Sequence, residues 1–316
     1  MSSQNHAFKE MLRHSQSTMP TLINWPQQLK ELAINIPQMS HPLPHAQEHE
    51  AFNGQILNAI YWRNARRVAH LLADMRYMAT ANLNAIAPTG ATGTALHAAL
   101  SDPGCPIEIL KLLIPLVDPN ILSADGESAL MLAAGLGLPS ICEDLVARGA
   151  RADAQDTRGR TPLMIAAATG NQATIKALLP HSDPRHRCYF GQTPMIAAIL
   201  RIKDDCERMG HAASRKSHTW RALMASADLA QSDINGQTPL HYAALTCSRW
   251  PSEIGQELIP MLALRSSVDA RNGDGETALE VALREAPDNL LPIFEQAALA
   301  ASCEKPQAPK QRPRSL

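Results

Sequence analysis

Residues 156–179 read DTRGRTPLMIAAATGNQATIKALL, and the phrase that begins at Thr161 returns along the chain. Its copies are TALHAAL from Thr94, SALMLAA from Ser128, TPLMIAA from Thr161, TPMIAAI from Thr193, TPLHYAA from Thr238 and TALEVAL from Thr277. The first residues of these six copies are spaced by 34, 33, 32, 45 and 39 positions. Self-similarity at one period indicates a repeat architecture, and the two longer intervals indicate insertions.

Each copy of the phrase predicts a tight turn followed by a helix. Five copies have a glycine two residues before the Thr or Ser, at Gly126, Gly159, Gly191, Gly236 and Gly275. Glycine takes positive φ at little steric cost, the hydroxyl can cap the first helical turn, and Pro suits the first helical position. A second apolar stretch with helical spacing follows, as in Ile109, Leu112 and Leu113. The sequence therefore predicts stacked helix-turn-helix units.

The pattern GxTPLHxAA, repeated about every 33 residues, resembles the ankyrin repeat. The resemblance covers residues 53–298, and it is closest in residues 156–179 and 233–244. It implies an all-α ankyrin-repeat solenoid, with inner helices along a concave face and hairpin turns that project between units. The family's Thr-to-His hydrogen-bond network is expected in two copies at most, because the motif histidine occurs only as His97 and His241.

Composition and periodicity divide the chain into three parts. Residues 1–50 are a polar, largely flexible segment with one short helix, residues 51–298 are the repeat domain, and residues 299–316 are a disordered basic tail. Within the domain we expect a capping repeat at 51–90, because the end unit of a solenoid needs a polar outer face. The units that follow, numbered one to six, are expected near 91–122, 123–155, 156–187, 188–232, 233–270 and 271–298.

Overall composition is that of a globular protein without an electrostatic bias. The 316 residues are 45% hydrophobic and carry a formal net charge of −1, which does not favour nucleic acid as a partner. No apolar run approaches the roughly 20 residues of a membrane span, and residues 1–16 lack the apolar core of a secretory signal. The six scattered cysteines are interpreted as reduced thiols. We therefore expect a cytoplasmic monomer, with secretion into a host cell as the alternative location.

Prolines and insertions interrupt the regular repeat. Pro115, Pro180, Pro260 and Pro292 lie in or just after second helices, which are expected to kink or stop there. An insertion at residues 201–218 is expected between the first helix of unit four and a helix that begins near Thr219. A smaller one, at 246–255, falls at the same turn of unit five. Such insertions either help to recognise a partner or are surface loops that have drifted in length.

Candidate metal and catalytic residues are few. His41, His45 and His49 have helical spacing, but Pro42 and Pro44 disfavour a helix there. A second set follows no standard zinc spacing, and solvated loop residues are the default for it: His181, His186, Cys188, Cys206 and His211. Motifs typical of hydrolases, phosphate binding and zinc peptidases are absent from the sequence. The chain is accordingly expected to be neither an enzyme nor a cofactor or metal protein.

Binding of a protein partner is the leading functional prediction. Arg158 and Arg160 on one hairpin turn, and Arg187 on the next, are expected to form a positive ridge for an acidic segment, unless they are simply a solvated face. Tyr189 and Phe190 are the candidate apolar anchors beside them. Positions expected on the concave face are Leu132, Leu136, Ile165, Thr169, Asn171 and Tyr242. The same solenoid is expected to serve as a scaffold or adaptor.

A second hypothesis makes the chain a bacterial effector or a ubiquitin-ligase adaptor that binds a host or substrate protein. WPQQLKELAINI, residues 25–36, resembles the start of an F-box, with Trp25 in place of Leu and Ala33 in place of a larger aliphatic residue. The helix in this stretch either packs on the first repeat or binds a partner. A basic C-terminal tail is compatible with delivery into a host cell.

Overall fold

The computed structural model describes residues 46–74, 83–84, 93–209, 219–249, 253–285 and 290–296. Its α-helices are α1 (Ala46–Tyr61), α2 (Ala65–Ala73), α3 (Ala95–Leu100), α4 (Ile107–Leu113), α5 (Ala129–Leu136), α6 (Pro139–Ala147), α7 (Pro162–Thr169), α8 (Gln172–Leu178), α9 (Pro194–Met209), α10 (Thr219–Met224), α11 (Pro239–Arg249), α12 (Glu253–Arg265) and α13 (Ala278–Glu285). A 3-10 turn at Leu179–His181 follows α8, and residues 290–296 are helical. These residues contain two isolated bridges but no strand, so the predicted all-α class is confirmed.

The helices form two layers that run the length of the stack. Inner helices α1, α3, α5, α7, α9, α11 and α13 each contact the next inner helix in the series. Outer helices pack behind them, with α2 against α4, α6 against α8 and α8 against α10. Inner helices α1, α3, α5, α7, α9 and α11 also contact the outer helix of their own unit. Neighbouring units therefore share one continuous core, as expected of a solenoid.

Small residues make the inner layer narrow. The paired alanines Ala133 and Ala134, Ala166 and Ala167, and Ala243 and Ala244 are fully buried, because each pair lies against the neighbouring units. Outer helices contribute larger aliphatic side chains to the same core, such as Ile141, Ile175 and Leu258. Since protein cores are close-packed, a methyl group added at these alanines would meet atoms already in contact.

Helix caps and turn glycines largely follow the prediction. Thr94, Ser128, Thr193 and Thr277 each accept a hydrogen bond from the amide three residues later. Two copies differ: the Thr161 hydroxyl is buried without a hydrogen-bond partner among the described residues, and the Thr238 hydroxyl pairs with His241 Nδ1 at 2.8 Å. All five turn glycines adopt positive φ, between 72° and 78°.

Of the four prolines expected to kink or stop a helix, two follow helices that have ended and two lie inside helices that continue. Helix α4 ends before Pro115, and α8 ends before Pro180, which lies in the 3-10 turn. Helix α12, in contrast, continues through Pro260 to Arg265. Its neighbours Leu258, Ile259 and Leu262 are fully buried, so packing holds the helix together despite the missing backbone donor. Pro292 likewise lies within the helical residues 290–296.

Two boundaries differ from those expected. Helix α9 runs on to Met209, so the first half of the insertion at 201–218 prolongs the inner helix of unit four before α10 begins at Thr219. The apolar Ile202 on this extension is buried, which accounts for the added helical turns. Helix α1 begins at Ala46, upstream of the residue-51 start expected for the repeat domain.

Candidate protein-binding surface

Histidine side chains tie two inner helices to the following hairpin. His97 Nδ1 lies 2.9 Å from the Thr94 hydroxyl, and its Nε2 lies 3.1 Å from the carbonyl oxygen of Glu127. His241 repeats both contacts, at 2.8 Å to Thr238 and 3.1 Å to the Glu276 carbonyl. Burial is the main cause that lowers the pKa of both histidines, so both are neutral at pH 7. Their role is structural, as the two-copy network predicted.

Backbone hydrogen bonds join the hairpins of units three to six, of which units three and four lack the motif histidine. The Tyr189 amide donates to the Arg158 carbonyl at 3.1 Å, and the Ile234 amide donates to the Phe190 carbonyl at 3.1 Å. The Gly273 amide then donates to the Asn235 carbonyl at 2.7 Å. The hairpins from unit three to unit six therefore form one continuous row of projecting turns.

Hairpin three, residues 156–160, is held by a buried carboxylate. Asp156 Oδ1 accepts from the Arg158 amide at 2.9 Å and from the Arg160 amide at 2.8 Å, while Oδ2 accepts from the Arg160 guanidinium at 2.7 Å. Burial by itself raises the pKa of Asp156, but these hydrogen bonds outweigh burial and lower it. The predicted ridge thus loses one cation, because the charge of Arg160 is already paired.

Hairpin four, residues 188–192, carries a buried cysteine where hairpin three carries Asp156. Its two tip residues, Tyr189 and Phe190, point into solvent. Arg187 precedes the turn and donates to the carbonyls of Gly191 at 3.2 Å and Ser232 at 2.6 Å. No carboxylate within the described ranges pairs with its guanidinium, which keeps its charge available.

Hairpin five, residues 233–237, has a carboxylate, Asp233, at the position that Asp156 occupies in hairpin three. Asp233 Oδ1 accepts from the Asn235 and Gln237 amides at 2.9 and 2.8 Å, and Oδ2 accepts from the Tyr242 hydroxyl at 2.8 Å. Burial and the Asp233 carboxylate raise the pKa of Tyr242 to about 12. Ile234, at the tip, is a large exposed apolar residue that the sequence reasoning missed. The sequence could have predicted its exposure, because Ile234 occupies the same hairpin position as Tyr189.

The inner helices carry a row of side chains at one register, on the face that the sequence predicts to be concave. The residue four positions after each cap is half-buried in units one to five: Ala98, Leu132, Ile165, Ala197 and Tyr242. We call these residues the palm row. Each lies on an inner helix with one side packed on the stack, as where Ile165 meets Gly135. Alignment along neighbouring helices gives a surface of mixed aliphatic and aromatic character.

The other residues predicted to lie on the concave face make hydrogen bonds or packing contacts within the stack. Asn171 caps α8 through the Thr174 amide at 3.0 Å and donates to the Gly137 carbonyl at 3.0 Å. Thr169 donates to the Ala166 carbonyl at 3.1 Å. Leu136 is half-buried and packs on the core. These contacts leave Asn171 and Thr169 with less polar capacity for a partner than their positions suggested.

Several predicted elements lie outside the described residues. These are the Trp25 helix, His41 and His45, the segment 210–218 and the tail 299–316. Of the zinc candidates that are described, His186 lies 3.0 Å from the Gly159 carbonyl and Cys188 is buried. Over the residues with described side chains, no group of His, Cys, Asp and Glu is arranged to hold a metal ion.

Cys105, Cys142 and Cys188 are free thiols. Burial is the main cause that raises the pKa of Cys105 to about 11 and that of Cys142 to about 12. These two thiols are therefore protonated and unreactive near neutral pH. Among the described helices, none has the length and apolar character to cross a membrane.

Sequence comparisons place the repeats in a known family. A family model described as ankyrin repeats (3 copies) matches residues 130–209. Mouse NF-kappa-B inhibitor delta is 29% identical over 176 residues, which are 52% of this chain and 53% of that protein. Neurogenic locus notch homolog protein 1 of Xenopus laevis is 30% identical over 166 residues, 52% of this chain but 6% of the relative. The chain thus spans about half of the first relative and a small part of the second.

Structural comparisons agree over a longer part of the chain. The ankyrin repeat domain of Bcl-3 superposes with a TM-score of 0.55 at 19% identity, covering 76% of this chain and 97% of that domain. The human ASB11 ankyrin repeat domain gives a TM-score of 0.56 at 23% identity, covering 80% of this chain and 99% of that domain. At these identities the likeness concerns the fold, and the partners of those proteins do not follow from it.

Proposed function

The chain is an ankyrin-repeat protein with the expected all-α solenoid, and we propose that it binds a protein partner across the concave face and hairpins of units two to five. Protein binding is the general use of ankyrin repeats. The mouse relative is named as an inhibitor of NF-kappa-B, which supports this class of function without identifying a partner for this chain. The proposed role is that of a scaffold or adaptor, and it requires no catalysis.

The palm row is the observation that carries the proposal. Leu132 and Tyr242 show part of their apolar surface to solvent while the rest packs against the core, and the half-buried Ile165 lies against Gly135 of the preceding inner helix. Side chains fixed in this way lose little conformational entropy when a partner covers them. The hairpins border the row along one side and add polar groups, so the surface combines an apolar centre with a polar rim, as protein interfaces do.

The decisive experiment places a carboxylate in the palm row of the full chain. Ile165→Glu puts a charge at the centre of the proposed interface, and Ala173→Glu adds the same charge on the exposed outer helix α8. Each tagged variant is used for affinity capture from lysate, with proteins identified by mass spectrometry and helical content checked by circular dichroism. We expect Ile165→Glu to lose at least about tenfold of the captured partner and Ala173→Glu to retain it.

A different result would contradict binding at the palm row. Equal capture by wild type and Ile165→Glu, with helical content unchanged, would exclude the concave face as the binding surface. We further propose that the chain acts as a cytoplasmic monomer. Sedimentation equilibrium of the full chain at working concentration tests this, and a stable dimer would contradict it.

A further inference from the structure

We propose that the tips of hairpins four and five form a docking site for an acidic, extended segment of the partner protein that carries a bulky apolar side chain. The site consists of Tyr189, Phe190 and Ile234, which we call the tip cluster, and of the arginines around it. The inference rests on the proposed function and narrows it, because it states the chemistry of the partner and the hairpins that recognise it.

The tip cluster is the first reason. Tyr189 is 69% exposed, Phe190 54% and Ile234 65%, although all three are large and apolar. The matching tip positions are small or polar in hairpin three and in the equivalent turns of units two and six, residues 123–127 and 272–276. Examples are Asp125 and Arg158. Large apolar side chains that gather on adjacent turns are typical of an interaction site, because water is released when a partner covers them.

Rigidity of the two turns is the second reason. The Ile234 amide donates to the Phe190 carbonyl at 3.1 Å, so the two tips are joined through their backbones. Gly191 permits this approach, since a Cβ there would lie 2.8 Å from the Ile234 nitrogen. The Tyr189 ring lies over Gly159 in the same way, 2.8 Å from the position of a Cβ. A partner therefore meets a preorganised surface and pays little entropy to order it.

Charge decides the class of partner. Arg158, Arg185 and Arg187 are exposed around the tip cluster, and within the described part of the chain none of them makes an ion pair. Arg187 uses two of its five donors on the carbonyls of Gly191 and Ser232, so donors remain for a ligand carboxylate. Asp156 and Asp233, the acids beside Arg158 and Ile234, are buried and occupied within their own hairpins. Asp183, the acid that lies nearest in sequence to Arg185 and Arg187, is exposed and accepts from the Arg185 amide.

This combination favours an acidic peptide over nucleic acid. Tyr189 and Phe190 could each stack on a base, but a net charge of −1 gives no long-range attraction for a polyanion. An extended segment with alternating side chains can place an apolar residue between Phe190 and Ile234 while its carboxylates meet the arginines.

The test uses short fluorescein-labelled peptides and fluorescence anisotropy with the full chain. The first peptide surrounds a Phe-Leu pair with Asp and Glu, the second replaces the acids by Lys, and the third replaces Phe-Leu by Gly-Gly. The apolar variant is Phe190→Ser with Ile234→Ser, and the charge variant is Arg158→Glu with Arg185→Glu. The matched control, Arg66→Glu with Arg67→Glu, makes the same charge change on exposed residues of α2.

We expect the first peptide to bind, and each of the other two peptides to bind at least about tenfold more weakly. The apolar and charge variants are expected to lose about tenfold in affinity for the first peptide, with the control unchanged and binding weakened by salt. Circular dichroism confirms that all variants fold. Absence of binding, or equal loss in the control variant, would overturn the docking site.

Other occupants give distinct results. A chain that dimerises, with dimerisation abolished by Phe190→Ser and Ile234→Ser, would assign the tip cluster to self-association. Tighter binding of a labelled single-stranded oligonucleotide than of the acidic peptide would assign it to nucleic acid. Capture that is lost in Ile165→Glu but retained in the apolar variant would overturn this inference and leave the proposed function intact. Capture that is unchanged in both Ile165→Glu and the apolar variant would contradict both the proposed function and this inference.

Discussion

Hairpins three and four occupy equivalent positions in the stack but use their side chains in opposite ways. In hairpin three the carboxylate of Asp156 satisfies two amides of its own turn and neutralises Arg160. In hairpin four the buried residue is Cys188, and the tip presents Tyr189 and Phe190 to solvent beside an arginine without a carboxylate partner among the described residues. The first turn is stabilised from within, whereas the second keeps charge and apolar surface available for a ligand.

The difference matters because the two turns touch. The Tyr189 amide donates to the Arg158 carbonyl, and the Tyr189 ring lies over Gly159. A well-satisfied hairpin three therefore supports a hairpin four that lacks its own carboxylate. Under the proposed docking, hairpin three would contribute stability and hairpin four would contribute recognition.

Removing the carboxylate of hairpin three should have the largest effect. Asp156→Ala leaves two amides and a guanidinium without their acceptor, and we expect the free energy of unfolding to fall by about 2 to 4 kcal/mol. Cys188→Ala removes one buried thiol and should cost less than about 1 kcal/mol. Urea denaturation followed by circular dichroism measures both. Similar losses in the two variants would break the contrast between the hairpins.

Hairpin five provides an intermediate case. Its Asp233 accepts from two amides and from the Tyr242 hydroxyl instead of a guanidinium. Tyr242→Phe removes that one donor and keeps the ring in the palm row, so we expect a loss of about 1 to 1.5 kcal/mol in urea denaturation. A cost as large as that of Asp156→Ala would show that the amides contribute little.

The reverse test gives hairpin four the carboxylate that hairpin three has. Cys188→Asp places an acceptor where Asp156 stands in hairpin three, and we expect a gain of about 1 kcal/mol in the free energy of unfolding at neutral pH. The new charge also lies close to Arg187 in sequence, so affinity for the acidic peptide should decrease. Cys188→Asn is the uncharged control. A destabilised Cys188→Asp would mean that burial outweighs the added hydrogen bonds.

The smallest expected difference concerns acid stability. The lowered pKa of Asp156 means that the unfolded state binds its proton first, so stability is fully present above the ordinary value of 3.8 and falls as pH drops through the folded pKa. Asp156→Asn should therefore show a shallower loss of stability below pH 3.8 than wild type. Cys188→Ser should follow the wild-type slope. Urea midpoints of the two variants and of wild type, measured across this pH range, show whether the slopes differ in this way.

Much of the fold followed from patterns that act within a few residues. Glycines two residues before the cap have positive φ because the turn requires it, and hydroxyl caps to the amide three residues later form in four of the six copies. The continuation of α12 through Pro260 could not be read in this way, since burial of Leu258, Ile259 and Leu262 against other units holds that helix together.

The candidate site shows the same division more strongly. Exposed tip residues such as Tyr189 and Phe190 were predicted, because their place in the turn follows from the repeat. The pairing of Arg160 with Asp156, the use of Asn171 between two units and the addition of Ile234 to the tip cluster were not. The Arg160–Asp156 pair spans four residues and depends on how the backbone of one turn folds. The Asn171 contact and the position of Ile234 depend on which units lie side by side, over sequence separations of about 33 residues.

Repeat period, turn chemistry and helical spacing were thus enough to establish an all-α solenoid, because each is a property of one unit and recurs in every unit. Which arginine pairs with a carboxylate emerged only from the folded turn of hairpin three, and which polar side chains join two units and which apolar residues meet at the hairpin tips emerged only from stacking. Stacking brings together atoms that are distant along the chain, and the resulting hydrogen bonds, salt bridges and buried surfaces have no local signature in the sequence.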